Sequence, residues 1–233
     1  MEHIILDVCY LVASVLFVIG LKKLSHPDSA RKGNLLAAFG MGAAILATIL
    51  FHKNDAGEGI GNIGYIIVAI AVGAVIGTLS AKKVKMTDMP QMVSLFNGMG
   101  GACAALISLE EFHHFALSYD HPIGTGLSIM AGLIIGSISF SGSMIAFAKL
   151  QGIMEKSPRL PMGNVINSLV ILATLGGGVY LSVSPGDAAP WVVYGLFAVS
   201  LLYGVLFVVP IGGADMPVVI SLLNSFTGMA AAF

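Results

Sequence analysis

Long apolar runs alternate with short polar breaks along the whole chain. The runs cover residues 4–21, 35–51, 63–79, 90–109, 126–148, 165–181, 191–209 and 217–233. Each is about 17 to 23 residues long, and a helix of that length, rising about 1.5 Å per residue, crosses a hydrocarbon core of about 30 Å. The pattern predicts about eight transmembrane helices in an all-α polytopic membrane protein. A transmembrane barrel would show alternating segments of about ten residues instead, and no such two-residue period is visible.

The polar breaks carry a charge asymmetry. Lys22, Lys23, Arg31 and Lys32 fall in the first connection, Lys82, Lys83 and Lys85 in the third, and Lys149, Lys156 and Arg159 in the fifth; Lys53 alone falls in an even one. Basic residues collect on the cytoplasmic side, so the odd connections face the cytoplasm and the N-terminus lies outside. Glu110, Glu111, His113, His114 and His121 then face outward. The first run has Glu2 and Asp7 before or near its start and no basic leader, which reads as a retained span and not a cleaved signal peptide.

Composition agrees with this class: of 233 residues, 57% are hydrophobic and 10% charged, with a mean hydropathy of +0.93. A formal net charge of −1, with basic residues confined to short loops, argues against a nucleic-acid partner. The two cysteines, Cys9 and Cys103, both lie within predicted spans, so the spacing suggests neither a disulfide framework nor a metal cluster.

One segment occurs twice. DMPQMVSLFNGMGGACAA at residues 88–105 returns as DMPVVISLLNSFTGMAAA at 215–232, an offset of 127 positions. Around it each half has a span, a basic connection ending in Gly-Asn (Gly33-Asn34, Gly163-Asn164), a span with Ala-Thr (Ala47-Thr48, Ala173-Thr174), a third span and then Asp-Met-Pro. Four spans per half is an even number, so both halves start on the same side and form a parallel repeat, with halves of about 1–110 and 120–233. The Asp-Met-Pro copies carry this pattern; the Gly-Asn pair needs a four-residue gap and adds little.

Two other patterns are weaker. Gly59, Gly61 and Gly64 fit a G-x-G-x-x-G fingerprint, but no strand precedes them and no acid follows about twenty residues on, so a turn opening the third span is the better description. Gly73 with Gly77, and Gly132 with Gly136, are small-xxx-small pairs of the kind that lets helices pack closely.

In the repeated segment, Asp88 is placed as an N-cap and Pro90 as an early helical residue, where a missing N–H costs nothing. Asn97 then lies about 10 Å along the axis, well inside the bilayer. Pro90, Ser94, Asn97 and Gly101 share one helical face, as do Pro217, Ser221, Asn224 and Gly228, and both stripes are expected to turn away from lipid. The asparagines are either interhelical hydrogen-bond glue or part of a hydrated path for a small ion or proton. Ser137, Ser139, Ser141 and Ser143 in the fifth span either extend such a path or bond back to carbonyls four residues earlier.

A proton relay needs a titrating group. None of the six histidines falls in a predicted span, and asparagine cannot hold a proton at working pH. The proton binder is therefore on a partner subunit, or Asp88 and Asp215 at the cytoplasmic helix starts do the work. For Asp215 a simple capping role competes with a switch contact for something docking from the cytoplasm, since Gly212, Gly213 and Ala214 make a flexible, close approach.

GGADMPVVISLLNS (residues 212–225), KKVKMTDMP (82–90) and FSGSMIAFAKL (140–150) closely resemble the β subunit of proton-translocating NAD(P) transhydrogenases, in register through almost the whole chain. The resemblance implies a membrane domain, residues 1–233, that moves a proton inward while hydride passes from NADH to NADP⁺ in domains outside the bilayer. It implies a bacterial inner-membrane location, a homo-oligomeric complex, and an α-subunit partner with membrane helices and an NAD-binding domain. Asn224 and Ser143 match family residues associated with the proton path, and Asp215 matches an acid placed to communicate with the NADP-binding domain.

Asn97 stands where many members have an intramembrane histidine, the natural proton carrier. Some members place a histidine on a helix of the companion α subunit, and such a helix is expected near Asn97 and Asn224. The family continues beyond this chain into further membrane sequence and a soluble NADP-binding domain, so residues 1–233 read as a truncated membrane piece that alone binds no NAD or NADP and transfers no hydride. A secondary transporter or ion channel with parallel repeats, and a structural scaffold with the stripes as glue, are the competing functions.

Overall fold

A computed structural model of the chain describes residues 2–53, 57, 59–118, 121–154, 156–158, 161–186 and 191–233. Arg159 and the side chain of Glu2 lie outside the described residues. The described residues form eight α-helices: α1 (Glu2–Leu24), α2 (Pro27–Phe51), α3 (Ile63–Lys83), α4 (Met89–Leu117), α5 (Ile123–Leu150), α6 (Gly163–Val183), α7 (Trp191–Val208) and α8 (Met216–Ala232). No strand forms among them; one isolated bridge joins Lys53 and Gly59. Seven helices, α1 to α7, are long and apolar enough to cross a membrane, and α8 is shorter, at 17 residues.

The chain packs as two compact units, residues 1–82 and 83–233. In the first, α1 and α2 form a tight antiparallel pair. A Cβ on Gly33 would stand 2.6 Å from the Gly20 carbonyl oxygen, so the two backbones meet there only because both residues are glycine. The Tyr10 hydroxyl and Thr48 Oγ1, 2.7 Å apart, link the other end of the pair. Helix α2 starts at Pro27, well before the predicted residue 35, because Pro27 suits a first helical position and Gly33 gains a packing partner. Gly33-Asn34 is therefore inside a helix, whereas Gly163-Asn164 opens α6. Gly61 and Asn62 form a turn directly before α3.

The second unit is built around α5, which is buried along much of its length by α4, α6, α7 and α8. Small residues on several faces of α5 allow this. A Cβ on Gly136 would lie 2.8 Å from both the Ala105 nitrogen and the Gly101 carbonyl oxygen, and one on Gly101 would lie 2.8 Å from the Phe140 nitrogen. The Gly132–Gly136 pair thus does what its spacing predicts and brings α4 and α5 into backbone contact. Toward the predicted outer end, Phe112 and Phe115 of α4 join Met130, Leu133, Leu181 and Val193 in an apolar core.

That core corrects one sequence expectation. Helix α4 continues to Leu117, not 109, and so carries His113 and His114 in its last turns. Hydropathy falls at Glu110 and Glu111, but the buried stripe Ala105, Ser108, Phe112, Phe115 runs straight past them at helical spacing. The histidines remain near the helix end: His114 pairs with Glu110 at 3.6 Å in an exposed position, and His113 Nε2 meets the Tyr194 hydroxyl at 3.2 Å.

Candidate functional site

Both Asp-Met-Pro copies fold the same way locally. A 3-10 turn, Met86–Asp88 or Gly213–Asp215, ends on the aspartate, and Met-Pro begins the α-helix. Asp88 and Asp215 occupy the cap position, but neither side chain bonds to its helix. Two features explain the missing cap. Their ψ angles of 4° and −1° are not the extended geometry that aims a side chain at the helix start, and Pro90 and Pro217 remove the N–H a cap would bind at the second position. Asp88 instead accepts a hydrogen bond from Thr87 Oγ1 at 3.4 Å. Asp215 is exposed, and its carboxylate has no hydrogen-bond partner among the described residues.

The first polar stripe faces the protein interior from Ser94 to Gly101, whereas its first member, Pro90, is exposed. Gln91, Ser94, Asn97, Gly98 and Gly101 of α4 are buried against α5, and Asn97 is 7% exposed. Asn97 Nδ2 donates to Ser143 Oγ at 2.9 Å and to Ser139 Oγ at 3.3 Å. Ser94 Oγ donates to the Ser143 carbonyl at 2.8 Å. Ser139 Oγ donates to the Leu223 carbonyl of α8 at 2.9 Å and shares a short hydrogen bond with Thr227 Oγ1. Helices α4, α5 and α8 are thus joined by a chain of amide and hydroxyl groups.

The chain has a loose end. Asn97 Oδ1 is buried with no partner. Turning the amide over exchanges oxygen for nitrogen but still leaves one end unbonded, so this position keeps an unanswered buried polar group. Gln91 is similar: its Nε2 donates to the Leu150 carbonyl at 3.3 Å while Oε1 has no partner. The four α5 serines divide by face. Ser137 and Ser141 bond back to Leu133 and Ser137 carbonyls, and Ser139 and Ser143 reach across to other helices.

The second stripe does not follow the first. Pro217, Ser221, Asn224 and Gly228 are all exposed on this chain, because α8 packs on α5 through Met216, Val219, Ile220, Leu223 and Ala230. Burial of the larger apolar face sets the helix rotation, and the polar stripe lies to one side of it. Asn97 and Ser143 therefore come together, and Asn224 and Asp215 join neither them nor each other. Asn224 nevertheless sits level with Asn97. A Cβ on Gly100 would touch Thr227 Cγ2 at 3.1 Å, and these two residues are related by the same 127-position offset as the two aspartates.

Three participants escaped the sequence pattern. Gln91 and Thr227 lie inside the repeated segment but off the asparagine face; the continuation of the buried stripe from Ser94 back to Gln91 is the signal that locates the first. Lys149, counted with the basic connections, is in the last turn of α5 and only 7% exposed.

A family model described as NAD(P) transhydrogenase beta subunit matches residues 6–233. Two curated relatives, both named NAD(P) transhydrogenase subunit beta and both from Rhodospirillum rubrum, are 38% identical over 238 aligned positions. The alignment takes in 100% of this chain and 49% of each relative, so the chain spans about half the length of the curated relatives it matches. With residues 6–233 matched end to end, the chain belongs to the NAD(P) transhydrogenase beta subunit family.

Proposed function

We propose that this chain is the membrane proton-path domain of a transhydrogenase that couples hydride transfer from NADH to NADP⁺ to inward proton movement. The observation that carries the proposal is the Asn97 cluster: a buried amide with one unbonded end, tied to two hydroxyls of α5 and, through Ser139, to α8. Such groups inside a membrane mark ion or proton pathways, since they are costly unless water or a partner answers them. The family membership supplies the reaction.

In this assignment Asn97, Ser143 and Asn224 bind and pass the proton's water chain, and Asp215 senses the NADP state of a soluble domain on the cytoplasmic side. The exposed, uncapped carboxylate of Asp215 suits that contact. We assign neither NAD nor NADP to this chain: residues 59–64 lead into α3 through a turn, without a preceding strand among the described residues. Both nucleotides belong to the complete enzyme. Each proton moved responds to the transmembrane potential by about 2.3 kcal/mol per 100 mV, enough to bias the hydride equilibrium.

The remaining parts of the arrangement follow as proposals. Eight spans, in two parallel repeats of four, cross a bacterial inner membrane with the N-terminus outside; the partners are an α subunit and an NADP-binding domain, in a homo-oligomeric complex. The exposed stripe Ser221, Asn224, Gly228 supports a partner helix on that face of α8, since an asparagine left facing lipid is unfavourable. Asn97 itself is enclosed by α5, so the partner's titratable group meets Asn224 first.

The test is NADH-driven proton uptake by the complete complex in vesicles. Asp215→Asn and Asn224→Ala should each lower the protons moved per hydride transferred, and unchanged coupling in both removes the proposal. Replacing every histidine of the partner subunit should abolish uptake; normal pumping would show that the carrier is elsewhere.

A further inference from the structure

Lys149 stands apart from the other lysines of the chain. It lies in the last turn of α5, 7% exposed, and its ammonium has three hydrogens and three acceptors. Nζ donates to Ser157 Oγ at 2.9 Å, to the Val209 carbonyl at 2.6 Å and to the Ile211 carbonyl. Ser157 Oγ also donates to the Ile211 carbonyl, at 3.1 Å. A buried, fully bonded ammonium is a point of fixation, because breaking any one bond strands a charged donor away from water.

The acceptors identify what is fixed. Helix α7 ends at Val208, so Val209 and Ile211 belong to the connection that carries the chain to Asp215. Carbonyls just past a helix C-terminus lack partners within the helix and lie at the negative end of its dipole, and a cation there satisfies both demands. Gly212 follows Ile211 directly, and the Asp215 N–H donates to the Gly212 carbonyl at 3.1 Å, closing the 3-10 turn. The grip on Ile211 is thus one residue from the turn that aims Asp215.

The other end of the linkage is α5 itself. Ser139, Ser143 and Lys149 lie on one uninterrupted helix, so the hydroxyls that hold Asn97 and the ammonium that holds the α7–α8 connection are separated by about 15 Å of rigid rod at most. Ser157, from the α5–α6 connection, closes the same junction from the side.

We infer that Lys149 is a positioning residue for coupling: it clamps the Val209–Ile211 backbone to the end of α5, so that the Asp215 turn and the Asn97–Ser143 cluster move together. The inference deepens the proposed function and rests on Asp215 being the cytoplasmic contact. It assigns Lys149 no contact with the proton or with a nucleotide.

The experiment uses the complete enzyme in vesicles and two readouts, protons taken up per hydride transferred and backbone hydrogen exchange at residues 209–215. Lys149→Met keeps an unbranched side chain one atom shorter and removes every donor. It should lower the coupling ratio severalfold and speed exchange at 209–215 by about tenfold, with exchange in the body of α5 unchanged. Lys149→Arg, which keeps charge and donors, should restore at least half of the coupling. Should Lys149→Met fail to assemble, Ser157→Ala carries the test, with the same two changes in smaller measure.

Normal coupling in Lys149→Met, or in Ser157→Ala where that variant stands in, overturns the inference, as does faster exchange without loss of coupling, which would make the lysine a helix cap and no more. Asp215→Asn, measured in parallel, separates the two levels. If it uncouples while the clamp variant does not, the clamp fails alone; if it leaves coupling normal, the underlying role of Asp215 fails with it.

Discussion

Asn97 is a side chain whose proposed part in a proton path and whose cost to stability point in opposite directions. Its bonds to Ser139 and Ser143 are worth little net, about 0.6 kcal/mol each on average for polar contacts between membrane helices. Against that stands a buried amide end with no partner, which costs about 1–3 kcal/mol where water cannot reach it. Asn97→Leu, close in volume, removes both. The chain is therefore expected to unfold in detergent titration with its stability unchanged or raised by up to about 1 kcal/mol, while proton uptake by the complete enzyme is lost. A loss of stability of 2 kcal/mol or more would show that the amide is structural glue and that its loose end is answered in the folded state. Ser143→Ala gives the contrasting case: it leaves Asn97 Nδ2 only the longer bond to Ser139, and both stability and uptake should fall.

At the scale of elements, hydropathy located the eight α-helices of the described residues, and its errors at the ends of α4 and α5 have one cause. A sliding apolar count sees side chains and not faces, so it stopped α4 at Glu110 although Phe112 and Phe115 continue the buried stripe, and it assigned Lys149 to a loop although it closes α5. The same blindness made the two Asp-Met-Pro stripes look equivalent. Their local folds do agree, down to the 3-10 turn before each proline, but which face turns inward depends on what α5 offers each helix: backbone contact at Gly136 for α4, and an apolar wall of Gly142, Ile145 and Ala146 for Leu223 and Val219 of α8. Glycine spacing shows the limit well. Gly132 and Gly136 are packed against α4, whereas nothing lies within 4 Å of a Cβ at Gly73 or Gly77 on α3. Gly136→Val should accordingly force α4 and α5 apart and cost about 1–3 kcal/mol by overpacking. Gly77→Ala should be neutral or gain up to about 1 kcal/mol from helix propensity. Equal losses from both in the same detergent unfolding assay would mean that α3 is covered within the folded chain.

At the scale of the whole molecule, sidedness and repeat are one question, because four spans per half return the chain to its starting side while three or five would invert it. The charge pattern predicts the first and fifth connections in the cytoplasm and the second and sixth outside. One residue from each can report this after Cys9 and Cys103, both free thiols, are replaced by alanine. Ser25 and Gln151 are exposed in the first and fifth connections, and Gly61 and Gly186 in the second and sixth. In intact cells, a membrane-impermeant maleimide should modify Gly61→Cys and Gly186→Cys, and should reach Ser25→Cys and Gln151→Cys only after permeabilisation. The reverse pattern would place the N-terminus inside and turn Asp215 away from a cytoplasmic partner. A split, with Ser25→Cys and Gln151→Cys on opposite sides, would break the parallel repeat, since those residues leave corresponding first helices of the two halves. Because Ser25 and Gly61 belong to one packed unit and Gln151 and Gly186 to the other, the four sites determine the sidedness of each unit separately. Agreement between Ser25 and Gly61 of the first half and Gln151 and Gly186 of the second is what a parallel repeat of four helices requires, and one consistent half alone would not supply it.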